Sequence, residues 1–165
     1  MPSLLGWRND KIVRLDKFHP NLLNEATRIM NQSWETLVVF APNFEIWNTK
    51  EGTKDEIHLS VKERHQLRDQ YILHNHPIPG PFSPKDISIC VTYGIARAYL
   101  IEPNGMLSVM ERPTKGWPQQ LMFLSEELLT DLYMLAMSGD LEGYDLQLER
   151  IAYEFKIEYW KVKIQ

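Results

Sequence analysis

Cysteine is almost absent: Cys90 is the one such residue in 165. A disulfide framework within the chain and a cysteine-rich zinc site are both excluded. The first residues, Met1-Pro2-Ser3-Leu4-Leu5-Gly6-Trp7-Arg8, lack the basic start and apolar core of a secretory signal. A reducing, cytoplasmic setting is therefore the expectation. No apolar run approaches the roughly 20 residues needed to cross a bilayer, so no membrane association is expected. Charge of one sign is also lacking. The 18 Lys and Arg face 22 Asp and Glu, for a formal net charge of −4, and no basic field favours nucleic acid. There is no internal repeat and no low-complexity tract. What remains is ordinary for a globular chain, with 44% hydrophobic and 24% charged residues, and the length allows one domain with a real core.

The hydrophobic pattern predicts a mixed α+β fold, a central mixed sheet flanked by helices. Residues before about Phe18 show no clear period and read as an arm or edge element. His19-Pro20-Asn21 is a helix entry, and Leu22, Leu23, Ala26, Ile29 and Met30 follow at helical spacing. Thr36-Leu37-Val38-Val39-Phe40 is β-branched and apolar, hence a strand, and Phe44-Glu45-Ile46-Trp47 reads as its hairpin partner. Ile57-His58-Leu59 alternates and predicts a short third strand, and Ser60 caps a brief helix to about Leu67. Tyr71 to His74 is the fourth strand. Ser83-Pro84-Lys85-Asp86 opens a helix that ends at Gly94. Ala96 to Ile101 and Met106 to Met110 form a hairpin across Asn104-Gly105. Helices over 119–137 and 140–156 and a last strand over 157–164 complete the chain. The expected division is a principal unit over 1–118, with its core at about 20–113, and a C-terminal helical extension over 119–165 packed on it. The late aromatics Trp117, Tyr133, Tyr144, Tyr153, Tyr159 and Trp160 are assigned to that packing.

Chemistry concentrates between His74 and Asp86. Side chains alternate along a strand, so His74 and His76 project from one face. An aspartate returning from the Pro-rich turn completes three ligands and leaves one position open, the arrangement of a catalytic rather than a structural zinc. Each residue also has a plainer reading. A His-x-His pair at a strand end occurs without metal. Asp86 sits where a capping-box acid belongs, and Ser83 where the N-cap belongs. His58 and His65 are expected on the surface, and Cys90 as a small core residue. The contiguous His-Asn-His string does not make an HNH nuclease, whose metal unit disperses those residues along the chain.

His74-x-His76-Pro77 followed by Ser83-x-x-Asp86 at a helix start resembles the signature of the JAMM zinc metalloproteases, the JAB/MPN-domain family. Asn75 between the histidines resembles the RadC-type and bacterial JAB branches, and Phe82-Ser83-Pro84-Lys85-Asp86-Ile87 with Gly116-Trp117-Pro118 is similar to a bacterial subgroup attached to phage and toxin-like proteins. The resemblance covers about residues 20 to 118, and the loop between His76 and Ser83 is one residue shorter than the common eukaryotic pattern. It implies a Zn2+-dependent peptidase or isopeptidase that uses metal-activated water, with His74, His76 and Asp86 as metal ligands. It implies Ser83 as the oxyanion donor and an upstream glutamate as general base. Glu35 matches that placement, Glu45 is the fallback, and Glu25 falls inside the first helix. The implied partner is a protein or peptide substrate, such as a ubiquitin-like or a phage or mobile-element protein. The other class of reading is a non-catalytic or RadC-like MPN-fold scaffold that binds a partner protein.

Overall fold

The computed structural model describes residues 18–119, 121 and 127–164. The expected N-terminal arm, and part of the first C-terminal helix, lie outside the described residues. Helix α1 (Pro20–Ile29) starts as its sequence requires, with Pro20 in the first turn and His19 Nδ1 accepting from the Asn21 N–H at 3.1 Å. Strands β1 (Thr36–Phe40) and β2 (Ile46–Glu51), helix α2 (Val61–His65) and strand β3 (Tyr71–Asn75) follow. Then come α3 (Pro84–Tyr93), β4 (Arg97–Ile101), β5 (Met106–Glu111), α4 (Glu127–Ser138), α5 (Leu141–Phe155) and β6 (Glu158–Lys163).

The six strands form one mixed sheet in the order β2-β1-β3-β4-β5-β6. Only β3 and β4 run parallel, joined by the crossover through α3; the other neighbours are antiparallel. The period-2 pattern of β1 explains the layering. Val38 and Phe40 face α1 together with Leu73, Tyr99, Leu107 and Val109. Leu37 and Val39 face the opposite side, where Ile72, Ala98, Leu100 and Met110 meet α3, α4 and α5. Both faces of the sheet are covered, so β1 is buried at every residue. Each fully buried large apolar side chain contributes about 1.5–3 kcal/mol.

The sequence expectations diverge from the structure at two places. Ile57-His58-Leu59 is not a strand: the alternation is real, since Ile57 and Leu59 pack against the core while His58 is exposed, but no ladder forms. Alternation reports a buried face, not a hydrogen-bond partner. Strand β2 begins at Ile46 and runs on to Glu51, because the turn closes later, with Phe44 at φ 64°. The last strand, expected over 157–164, is β6, which pairs with β5 along its whole length. Leu132, Tyr144, Leu148, Ile151 and Tyr159 share the core with α3. Among the late aromatics, Trp117, Tyr144 and Tyr159 are buried and Tyr153 is exposed. Trp160 turns to the other face, its ring 5.5 Å from that of Phe18.

Candidate metal centre

β3 and α3 deliver the three candidate ligands. β3 ends at Asn75, but the His76 N–H still bonds the Ile101 carbonyl at 3.2 Å. The pleat therefore continues one residue past the strand, and His76 emerges on the same face as His74. α3 fixes the aspartate. Ser83 Oγ accepts from the Asp86 N–H at 3.1 Å, and Asp86 Oδ2 accepts from the Ser83 N–H at 2.8 Å. This reciprocal box is the plain role anticipated for both residues, and it also decides where the carboxylate points. His74 Nε2 lies 3.1 Å from His76 Nε2 and 3.3 Å from Asp86 Oδ1, and His76 Nε2 lies 3.2 Å from Asp86 Oδ2.

One ligand atom from each of the three residues lies within 4.8 Å of the others, close enough to share an ion. Tetrahedral zinc with ligands at about 2.0–2.1 Å has ligand–ligand edges of about 3.3–3.4 Å. The donor chemistry fits as well. His76 Nδ1 lies 3.0 Å from the Gly80 carbonyl, which can only accept. Nδ1 therefore carries a ring proton, and Nε2, which faces the other two groups, is the nitrogen that would ligate a metal. Gly80 is held in turn by Glu102, whose Oε1 accepts its N–H at 2.8 Å and which is itself buried. Glu102 thus positions the carbonyl that orients His76. Outer groups of this kind typically carry 10–100-fold in metal affinity. Glu102→Ala is accordingly expected to weaken zinc binding about 10–100-fold with the fold intact, measured by competition with a chromophoric chelator. Unchanged affinity would remove Glu102 from the site.

Electrostatics follow from burial and proximity. Burial alone would raise the Asp86 pKa, but the charges and hydrogen bonds of His74 and His76 outweigh it and hold the carboxyl well below the usual carboxylate range. Burial opposes the charge of His76, yet the hydrogen bond and charge of Asp86, with the Gly80 carbonyl and Glu35, raise its pKa. Burial pushes the Cys90 thiol up, and Asp86 adds to this. Cys90 is a buried core residue as anticipated.

Glu35 directly precedes β1. It stands two residues before Leu37, which pairs with His74 at the end of the β1–β3 ladder, and so shares the face of Leu37 at the ligand end. Glu35, the two histidines, Ser83 and Asp86 all line one cavity of about 280 Å³. Burial raises the Glu35 pKa, with His74 and His76 opposing. The fallback, Glu45, is exposed at the far end of β1 and lines no part of this cavity. Glu25 pairs with Arg28 at 2.5 Å. His58 and His65 are both exposed.

One residue inside the motif has a role that sequence reading missed. Asn75 is fully buried. Its Oδ1 accepts from the Thr36 N–H at 2.7 Å, and its Nδ2 donates to the Trp34 carbonyl at 2.8 Å. On the other edge the Glu35 N–H bonds the Thr53 carbonyl at 2.7 Å, and its carbonyl accepts from Gly52 at 2.8 Å. The backbone on both sides of Glu35 is therefore fixed. Gly52 is needed for this, since a Cβ there would stand 2.0 Å from the Glu56 carbonyl oxygen. The C-terminal segment braces the opposite wall. The Tyr144 hydroxyl donates to the Phe82 carbonyl at 2.5 Å, and the Phe82 ring lies 6.2 Å from His74 and 6.3 Å from Tyr159.

Models of known protein families, and the curated proteins, return no match to this chain. Among the described residues no helix is long and apolar enough to cross a membrane.

Proposed function

We propose that the protein is a zinc-dependent peptidase or isopeptidase of the JAMM type. The observation that carries this reading is the convergence of His74 Nε2, His76 Nε2 and the Asp86 carboxylate within 3.1–3.3 Å of one another on the wall of a cavity that also contains Glu35. His74, His76 and Asp86 would hold zinc, which would supply Lewis acidity and lower the pKa of a bound water to about 7. Glu35, which lines the same cavity, would take the proton of the attacking water and return it to the departing amine. Half-burial suits it to the first transfer, because a carboxylate with a raised pKa takes up a proton more readily than one in water. Ser83 Oγ accepts one bond from the Asp86 N–H, which leaves its hydroxyl hydrogen to donate to the developing oxyanion; such a donor is worth about 10²–10³ in rate. The substrate is a protein or peptide segment that lays its amide across the cavity mouth.

Metal content is the direct test. Protein purified and equilibrated with zinc is expected to hold about one ion per chain, and His76→Ala to lose it while keeping its far-UV circular dichroism. A folded, zinc-equilibrated chain that retains no metal would overturn the enzyme reading and leave that of a partner-binding scaffold.

A further inference from the structure

We propose that the cavity contains a subsite for one apolar side chain of the substrate, so that cleavage occurs beside an aliphatic or aromatic residue. The inference rests on the hydrolase reading for its scissile bond, but the subsite has its own evidence. The cavity that holds Glu35, His74, His76, Ser83 and Asp86 extends over a floor made by Leu37, Ile72 and Ala98. These residues come from three adjacent strands: Leu37 is opposite His74, and Ile72 is opposite Ala98. Ile72 lies two residues before His74 on the same face of β3, a separation of about 6.5 Å along the strand. Ile89 and Cys90 lie three and four residues after Asp86, on the same side of α3, about one helical turn away. The apolar surface therefore begins one side-chain length from the ligands on both elements that carry them. A residue whose carbonyl sits at the ligands can lay its side chain on that floor.

Size and charge define what enters. At about 280 Å³ the cavity is at the lower edge of small-molecule pockets, roughly 300–1,000 Å³, which suits a single side chain rather than a cofactor-sized ligand. The charged residues Lys54, Asp55, Glu56 and Lys85 belong to the two segments that flank the mouth, where Lys85 Nζ lies 3.6 Å from Glu56 Oε1. The floor residues offer no charged group and no side-chain hydrogen bond beyond the weak Cys90 thiol. A charged or amide side chain placed there would exchange water for hydrocarbon without a partner. A leucine, methionine or phenylalanine loses nothing by the same move.

The test uses zinc-loaded protein and a set of quenched fluorogenic peptides. The residue on each side of the cut is varied through Gly, Ala, Leu, Phe, Asp and Lys. One side is expected to favour Leu or Phe over Gly and Asp by about 10²-fold in kcat/KM, the scale of methylene discrimination in apolar pockets. Filling the floor with Ala98→Leu, or narrowing the wall with Ile89→Phe at a partly buried position that strains the sheet less, should shift the preference toward Ala by about 10-fold or more. A second readout needs no turnover: N-acetyl-Leu, -Phe, -Gly and -Asp amides titrated into metal-free protein, followed by methyl chemical shifts of the floor residues. The Leu and Phe amides should bind best, and less well in Ile89→Phe. Cleavage that is indifferent to both flanking residues, with no ranking among the amides, overturns the subsite and leaves the hydrolase. Ranked amide binding without cleavage of any peptide supports the subsite and overturns the hydrolase.

Discussion

Glu35→Gln is expected to keep about one zinc per chain and to lose kcat by about 10²–10⁴-fold, the range for removal of a positioned acid–base group. The substitution is nearly isosteric, and the surrounding backbone does not depend on the side chain. The Glu35 N–H and carbonyl are bonded to Thr53 and Gly52, and the adjoining Trp34 carbonyl and Thr36 N–H are bonded to Asn75. A glutamine therefore occupies the same place but cannot take a proton from water. Because the candidate metal ligands come from the end of β3 and from α3, metal content should not change, and KM should move far less than kcat. Those two controls separate a lost proton carrier from a damaged site. A Glu35→Gln protein with full turnover would pass the role to another acid of the same cavity. Asp55 and Glu56 are the lining candidates; Glu45 is excluded by its distance along β1.

The parts of the site that could be read from the sequence are those whose physics is local. His74 and His76 share a face because two residues separate them on a strand. Ser83 and Asp86 cap α3 because three residues separate them at a helix start. Both relations hold whatever the rest of the chain does. Glu35 is different. Its residue type and approximate position followed from a family resemblance, but its place at the ligand end depends on the antiparallel register of β1 with β3, which no local pattern encodes. Asn75 and Glu102 were invisible for the same reason. The partners of Asn75 lie 39 and 41 residues away, and that of Glu102 lies 22 away. A buried polar residue announces itself only when its burial is known. The Ile57–Leu59 segment failed in the opposite sense. Its alternation was legible, and the inference from alternation to strand pairing was what broke, since the face it buries is the wall of the cavity. Strand β6 was anticipated from its own alternation, but its pairing with β5 joins residues 47 to 57 apart in sequence, from Glu111 with Glu158 to Met106 with Lys163.

Asn75→Leu is expected to destabilise the protein and to disable the site together. The change leaves the Thr36 N–H and the Trp34 carbonyl without their partner. Thr36 is fully buried, so water does not replace the bond. An unsatisfied buried polar group costs about 1–3 kcal/mol, and the carbonyl of the part-exposed Trp34 adds less, so the change costs about 1–3 kcal/mol against a typical total of about 5–15 kcal/mol. For a chain of this size that is a fall in Tm of roughly 2–12 °C. The same bonds hold the backbone that carries Glu35, so kcat should fall further than the loss of folded protein explains, at temperatures where the variant remains folded. Zinc content should stay near one per folded chain, because His74 and His76 keep their own supports in the β4 ladder and the Gly80 carbonyl. Asn75→Asp gives the discriminating comparison. It restores an acceptor for the Thr36 N–H but sets a carboxylate oxygen against the Trp34 carbonyl, so one bond is kept and the other becomes a repulsion. The backbone before Glu35 is then released while Thr36 stays anchored, and turnover should remain low even where part of the stability returns. If Asn75→Leu melts with the wild type and turns over substrate at the wild-type rate, the two hydrogen bonds neither stabilise the end of β1 nor aim Glu35. Glu35 would then owe its position to its bonds with Gly52 and Thr53, just past β2.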